Sequence, residues 1–184
     1  MKKLLLSAAV VAFGLVSAQK GTVLVGGNIA FENQKIEDNK ANEFTFAPKV
    51  GYQFTNNITA GIEGSYGNAN AKVASVKVAD YDTYSIGAFG RYTKPMSETF
   101  AVFADLGLGY LGEKDKMDGG DKASGMYADL TPALFINFKK SFGLNFSIGG
   151  IRYENLSWDK ADVTENGFKL NFGKTLNIGI SKNF

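Results

Sequence analysis

The chain has 184 residues, no Cys, no His and a net charge of +2. That length suits one domain, and the absence of Cys excludes disulfide frameworks, thiolate metal sites and a Cys nucleophile. The near-balanced charge gives nucleic acid no electrostatic footprint, so no nucleic-acid partner is expected.

Residues 1–18, MKKLLLSAAVVAFGLVSA, read as a signal peptide. Lys2 and Lys3 form a positive start, Leu4 to Val16 an apolar run, and Val16-Ser17-Ala18 a small-residue cleavage site. Cleavage after Ala18 is expected to leave residues 19–184 as one domain. No later run has the length and apolarity of a transmembrane helix. A membrane protein made from the remainder has to be a closed barrel, because hydrocarbon offers the backbone no other partners.

The remainder alternates with period two, the mark of strands. The first strand is expected over residues 22–32, with Val23, Val25, Ile29 and Phe31 on one face and Leu24, Asn28 and Ala30 on the other. A polar loop, residues 33–42, follows. In FTFAPKVGYQF the second strand sets Phe44, Phe46, Pro48, Val50 and Tyr52 against Thr45, Lys49 and Gln53. The third, ITAGIEGSY, sets Ile58, Ile62 and Tyr66 against Thr59, Glu63 and Ser65. After a loop at 68–80, the fourth turns Tyr84, Ile86 and Tyr92 outward and Phe89 and Arg91 inward. The fifth turns Phe100, Val102, Leu106, Leu108 and Tyr110 outward and Phe103 and Asp105 inward. Beyond a charged loop at 112–124, the sixth sends Leu130, Leu134, Ile136 and Phe138 outward, with Tyr127 and Asp129 inward. A tight turn at 139–141 leads to the seventh, whose Gly149-Gly150 pair signals a bulge. A last loop at 154–166 precedes the eighth strand, with Ile178, Ile180 and Phe184 outward.

The connections alternate long and short, the pattern of an eight-stranded antiparallel up-and-down transmembrane β-barrel in an all-β chain. Tyr52, Phe54, Tyr92, Phe100, Phe138, Phe142 and Phe184 sit beside short turns or the C-terminus. Phe31, Phe44, Tyr66, Tyr84 and Tyr110 sit beside long loops. From Phe44 to Tyr52 the chain climbs about 19 Å at a tilt near 45°, matching two aromatic girdles around an apolar band. A soluble lipocalin-like barrel also alternates, with its apolar face inward. The paired girdles and the terminal Phe favour the membrane form.

The signal, the eight alternating segments and the terminal LNIGISKNF resemble small outer-membrane β-barrel proteins of the OmpA/OmpX type. The resemblance spans the whole mature chain. It implies outer-membrane location, and it implies that Phe184, Ile180 and Ile178 form the signal read by the barrel-assembly machinery. Lys182 departs from that signal, since its position is usually apolar; near the rim it is expected to snorkel to water. The resemblance implies no single activity. Enzymes on such barrels generally use a catalytic His, and this chain has none.

Opposed residues of an antiparallel pair share a face. Phe54 is therefore expected opposite Ile58 across the loop Thr55-Asn56-Asn57, with Asn57 left-handed, and Lys49 opposite Glu63. Together with Arg91, Asp105 and Asp129, these inward charges are expected to form an ion network filling the lumen. Eight strands leave room for side chains but hardly for a channel. The alternative is a narrow pore or transporter for small solutes. Strict alternation sends Arg152 and Lys174 outward near the outer rim, where they are candidates for lipopolysaccharide phosphates. Loops 33–42, 68–80, 112–124 and 154–166 are candidates for an extracellular partner. Pro48 and Pro132 each remove a ladder donor, so local bulges are expected there. The glycines of GLGYLG, Gly107 to Gly112, match a dinucleotide fingerprint in letters only, because a charged loop follows where a helix should start. Asp115, Asp118 and Asp121 do not fit calcium-loop spacing. No cofactor, metal or catalytic residue is expected.

Overall fold

The computed structural model describes residues 20–139 and 142–184. Residues 1–19, which include the expected signal peptide, and part of the 139–141 turn lie outside the described residues. Eight antiparallel strands close a barrel in chain order. They are β1 (Val23–Ile36), β2 (Asn39–Gln53), β3 (Ile58–Val73), β4 (Val76–Pro95), β5 (Phe100–Asp115), β6 (Lys122–Lys139), β7 (Phe142–Trp158) and β8 (Val163–Asn183).

Period two determines the facing. Leu24, Phe89, Phe103 and Tyr127 are buried inside, while Ile29, Phe31, Ile62, Ile86, Leu106 and Leu108 stand fully on the outer wall. An apolar outer wall around a polar interior is the membrane form of the barrel and not the lipocalin form. Both faces of the opening hairpin follow this rule, and Lys49 lies opposite Glu63 in the register.

The strands run further than their apolar faces. Residues 33–42 pair with each other down to Ile36 opposite Asn39, and residues 68–80 down to Val73 opposite Val76. Lys114 pairs with Lys122, and Trp158 with Val163. The expected long loops are therefore mostly ladder, capped by short turns. Beyond the membrane the outer wall no longer has to be apolar, so the period-two signal fades although backbone pairing continues. The 20 residues of β4 climb about 45 Å at that tilt, well past an apolar band of about 25 Å.

These outer turns use left-handed backbone at Glu37, Ala74, Ser75, Gly119 and Asp162. Asn57 is not among the left-handed residues, contrary to expectation. There the Thr55 hydroxyl accepts from the amides of Asn57 and Ile58 at 3.2 and 3.0 Å. Ser97 closes the next short turn the same way, accepting from Thr99 and Phe100. A hydroxyl acceptor replaces the backbone twist that Asn57 was expected to supply.

The two prolines are accommodated differently. The β2–β3 ladder skips Ala47 and Pro48 with no change of register, so the expected bulge at Pro48 is absent. Pro132 does fall in a register shift, between Leu130 and Ala133 on the β7 side. A second shift separates Ser147 from Gly149 on the β8 side. Gly149 has φ 115°, a conformation that favours Gly over residues with a Cβ. This bulge reverses the facing of all that follows on β7.

Closure between the first and last strands is short. Among the described residues, the β1–β8 ladder runs from Leu24–Asn183 to Asn28–Gly179. Val23 and Phe184 extend it at its lower end with mutual backbone hydrogen bonds of 3.0 and 2.9 Å. Ile178 and Ile180 face outward, and Lys182 folds over the Phe184 ring at 4.5 Å.

Beyond the outer girdle, Lys77 Nζ donates to Asp80 at 2.8 Å. That bond, helped by Asn68 and Lys116 against the cost of burial, holds the Asp80 carboxyl below its ordinary value of 3.8. A lowered carboxyl stabilises the fold above its ordinary pKa, and this contribution is lost as pH falls through the lowered one. Amide exchange across the outer β3–β4 hairpin is expected to speed up below about pH 4 relative to neutral pH, after correction for intrinsic rates. In Asp80→Asn that acid-specific loss shrinks, the remainder coming from Asp82, which, against the cost of burial, Asn68 and Lys116 hold low in the same hairpin; an unchanged loss in Asp80→Asn would contradict this role.

Candidate functional site

At mid-barrel, six consecutive strands contribute to one inward cluster of charges: Lys49 on β2, Glu63 on β3, Arg91 on β4, Asp105 on β5, Asp129 on β6 and Arg152 on β7. They fall into three directly opposed pairs, Lys49–Glu63, Arg91–Asp105 and Asp129–Arg152.

Arg91 grips Asp105 with Nε at 2.6 Å and an Nη at 2.8 Å, a bidentate pair. Lys49 Nζ reaches Asp105 at 2.7 Å and Glu63 at 3.2 Å. Tyr127 donates its hydroxyl to Glu63 at 2.9 Å. Arg152 reaches Asp129 at 3.1 Å and Glu154 at 3.1 Å, and Lys169 also pairs with Glu154. Aromatic rings support the cations: Arg91 lies 3.7 Å over Phe103, Lys49 4.7 Å over Phe89 and Arg152 4.5 Å over Tyr127. These six charges balance, three cations against three anions.

Asp105 and Arg91 are only 4% and 8% exposed. A buried pair persists when geometry is good and the remaining donors and acceptors are satisfied. Here Asp105 receives three hydrogen bonds from two cations. The pairing also divides the lumen. An outer cavity of about 180 Å³ and an inner one of about 220 Å³ share Leu24, Arg91, Phe103 and Ser181 as lining. These four residues stand between the two chambers.

Glycine makes room for the network. A Cβ at Gly107 would sit 2.6 Å from Glu63 Oε1 and 2.8 Å from Asp129 Oδ1. One at Gly109 would meet the Tyr127 ring at 2.8 Å, and one at Gly112 the Tyr84 ring at 2.3 Å. The glycines of the GLGYLG segment therefore serve clearance, both inside the lumen and on the wall.

The structure brings Lys49, Glu63, Arg91, Asp105 and Asp129 into one cluster. Arg152 differs from expectation: it points inward and joins this cluster, because the Gly149 bulge inverts the alternation. An inward Arg152 does not face lipid, which removes it from the expected lipopolysaccharide contact. The Lys174 side chain lies outside the described residues. Glu154, Lys169 and Tyr127 were not anticipated as members. The Gly149-Gly150 pair was the signal that could have found Arg152 and Glu154. Among the described residues, no group of three or more His, Cys, Asp or Glu is arranged to hold a metal.

Residues 4–179 match the outer membrane protein beta-barrel domain. The chain belongs to that family. The family and the eight-stranded barrel place the chain in the Gram-negative outer membrane. Neisserial surface protein A (NspA) is similar in structure, with a TM-score of 0.53 and 15% identity, over 88% of this chain and 97% of that one. The outer membrane protein OprG from Pseudomonas aeruginosa has a TM-score of 0.51 and 12% identity, over 90% of this chain and 97% of that one. At such identities the likeness is one of fold. No curated protein matches the chain.

Proposed function

We propose that the chain is a non-catalytic outer-membrane barrel that supports envelope integrity while its lumen stays filled by side chains. The observation that carries this reading is the Arg91–Asp105–Lys49–Glu63 chain of contacts, backed by Phe89 and Phe103, with Arg91 and Phe103 at the boundary of the two cavities. An ion-paired partition of this kind holds charge without offering a path. The purified barrel in liposomes is expected to leave small-sugar swelling rates at those of empty vesicles. A strain lacking the protein is expected to become more sensitive to detergent. Swelling clearly above the empty control would favour a pore instead.

A second reading has an observation of its own. Among the described residues the β1–β8 ladder ends at Asn28–Gly179, and the outer cavity is lined by Gly26, Gly27 and Asn28 at that same edge. Unpaired backbone inside hydrocarbon is costly, so this seam is the natural place for a small apolar solute to leave sideways. The chain has no Cys, so Ile29→Cys with Ile178→Cys permits a thiol cross-link across the seam. Apolar-solute uptake that survives cross-linking unchanged would end this second reading.

A further inference from the structure

Four lysines stand in one rung at the outer end of the barrel. Lys35 lies opposite Lys40, Lys40 opposite Lys72, and Lys72 opposite Lys77. All four are exposed. Alternation from the lipid-facing Phe31, Phe44 and Tyr66 puts the first three on the outer wall, and the register shift after Ala71 brings Lys77 into line with them. Neighbouring strands lie about 4.8 Å apart, so the rung spans about 14 Å. Like charges directly opposed across a ladder repel and destabilise it. Only Lys77 has an acidic partner, Asp80 at 2.8 Å. Among the described residues Lys35, Lys40 and Lys72 make no ion pair. Of the carboxylates nearby on β1 and β2, Glu32 and Glu43 are turned into the mouth of the barrel, where they line a separate cavity, while Glu37 and Asp38 stand exposed in the turn above the rung.

The rung below is three amides and one carboxylate, Asn33, Asn42, Asn70 and Asp80, the last neutralised by Lys77 and Lys116. Asn33 donates to Asn42, Asn42 to Asn70 at 3.1 Å, and Asn70 to Asn68 at 3.3 Å. Below the amides come the ring of Phe31 and, next to it, Phe44. Rising along β1 and β2, the outer surface is thus apolar, then aromatic, then amide, then cationic. The lysines stand about 10 Å above Phe31, taking four strand steps at the barrel's tilt.

We propose that this rung is a binding site for the phosphorylated sugar region of lipopolysaccharide. The order of surfaces matches that of the ligand: acyl chains, then sugar hydroxyls, then phosphates. The side chains point sideways off the barrel wall just above the aromatic girdle rather than up into the medium, which favours a membrane glycolipid over a soluble polyanion. Phosphates spaced along the rung relieve the lysine repulsion and take charge-assisted hydrogen bonds. The proposal rests on the outer-membrane location and not on the closed lumen.

The test uses the full barrel refolded in detergent micelles, with binding measured to purified lipopolysaccharide carrying a phosphorylated core. The triple variant Lys35→Gln, Lys40→Gln, Lys72→Gln is compared with Lys114→Gln, Lys122→Gln, an opposed lysine pair on β5 and β6. Heat-modifiable gel migration shows that each variant is folded. The triple variant is expected to bind about tenfold more weakly or worse, and the β5–β6 variant close to wild type. On enzymatically dephosphorylated lipopolysaccharide, wild type and triple variant should bind alike. Triple-variant binding within about twofold of wild type overturns the proposal. So does an equal loss in the β5–β6 variant. Loss of heparin binding with lipopolysaccharide binding retained also overturns it, and assigns the rung to a soluble polyanion.

Discussion

Asp105→Ala is expected to lower the stability of the barrel by about 3–5 kcal/mol, the cost of leaving buried charges unpaired. Asp105 is the shared acceptor of Arg91 and Lys49, so its loss strands Arg91 and leaves Lys49 with one anion in a small interior. Arg91 keeps only its stacking on Phe103. Lys49 keeps Glu63, whose other oxygen already accepts from Tyr127. Replacing both partners together, as Arg91→Met with Asp105→Leu, is expected to cost far less, because hydrophobic residues of similar volume often match a buried ion pair. Urea unfolding in lipid vesicles measures both. Equal losses in the single and double variants would show that shape and not charge governs this layer.

Gly149→Ala is expected to cost at least about 2 kcal/mol, from a strained backbone of about 1–3 kcal/mol with a clash added. Gly149 has φ 115°, and a Cβ there would lie 1.6 Å from the Asn171 carbonyl oxygen. The bulge cannot relax without moving β8. Its loss would also disturb the facing of Arg152 and so the Asp129 pair. Gly90→Ala is the control: a Cβ at Gly90 has nothing within 4 Å, and the change should stay within about 0.5 kcal/mol. Similar losses at both positions would mean that the bulge does not depend on Gly.

The barrel was legible where one face had to be apolar. In the opening hairpin, the turn Thr55-Asn56-Asn57 and the alternation on both sides were enough to put Lys49 opposite Glu63, because a one-residue slip would bring Lys49 to the lipid face. The same logic carried Arg91, Asp105 and Asp129 inward. It failed where the constraint behind it lapsed. Residues 33–42 and 68–80 carry polar groups on the outer wall, so they resembled loops, yet their backbones pair almost to the turn. It failed again at Arg152, because one extra residue at Gly149-Gly150 inverts the facing and no local pattern counts that residue. Pro48 was misread for a different reason. The ladder can omit the bonds beside a proline and resume in the same register, with no bulge. The lysine rung was invisible for the same reason as the outer ladder: Lys35, Lys40, Lys72 and Lys77 are far apart in the chain, and only the extended register sets them side by side.

Planar-bilayer recording of the purified protein tests the closed lumen most directly, with wild type and Glu63→Ala compared. Removing the Glu63 carboxylate leaves the Arg91–Asp105 pair and the Phe103 ring in place between the chambers, so neither protein should show resolved openings. Sustained step conductance in either would contradict the account.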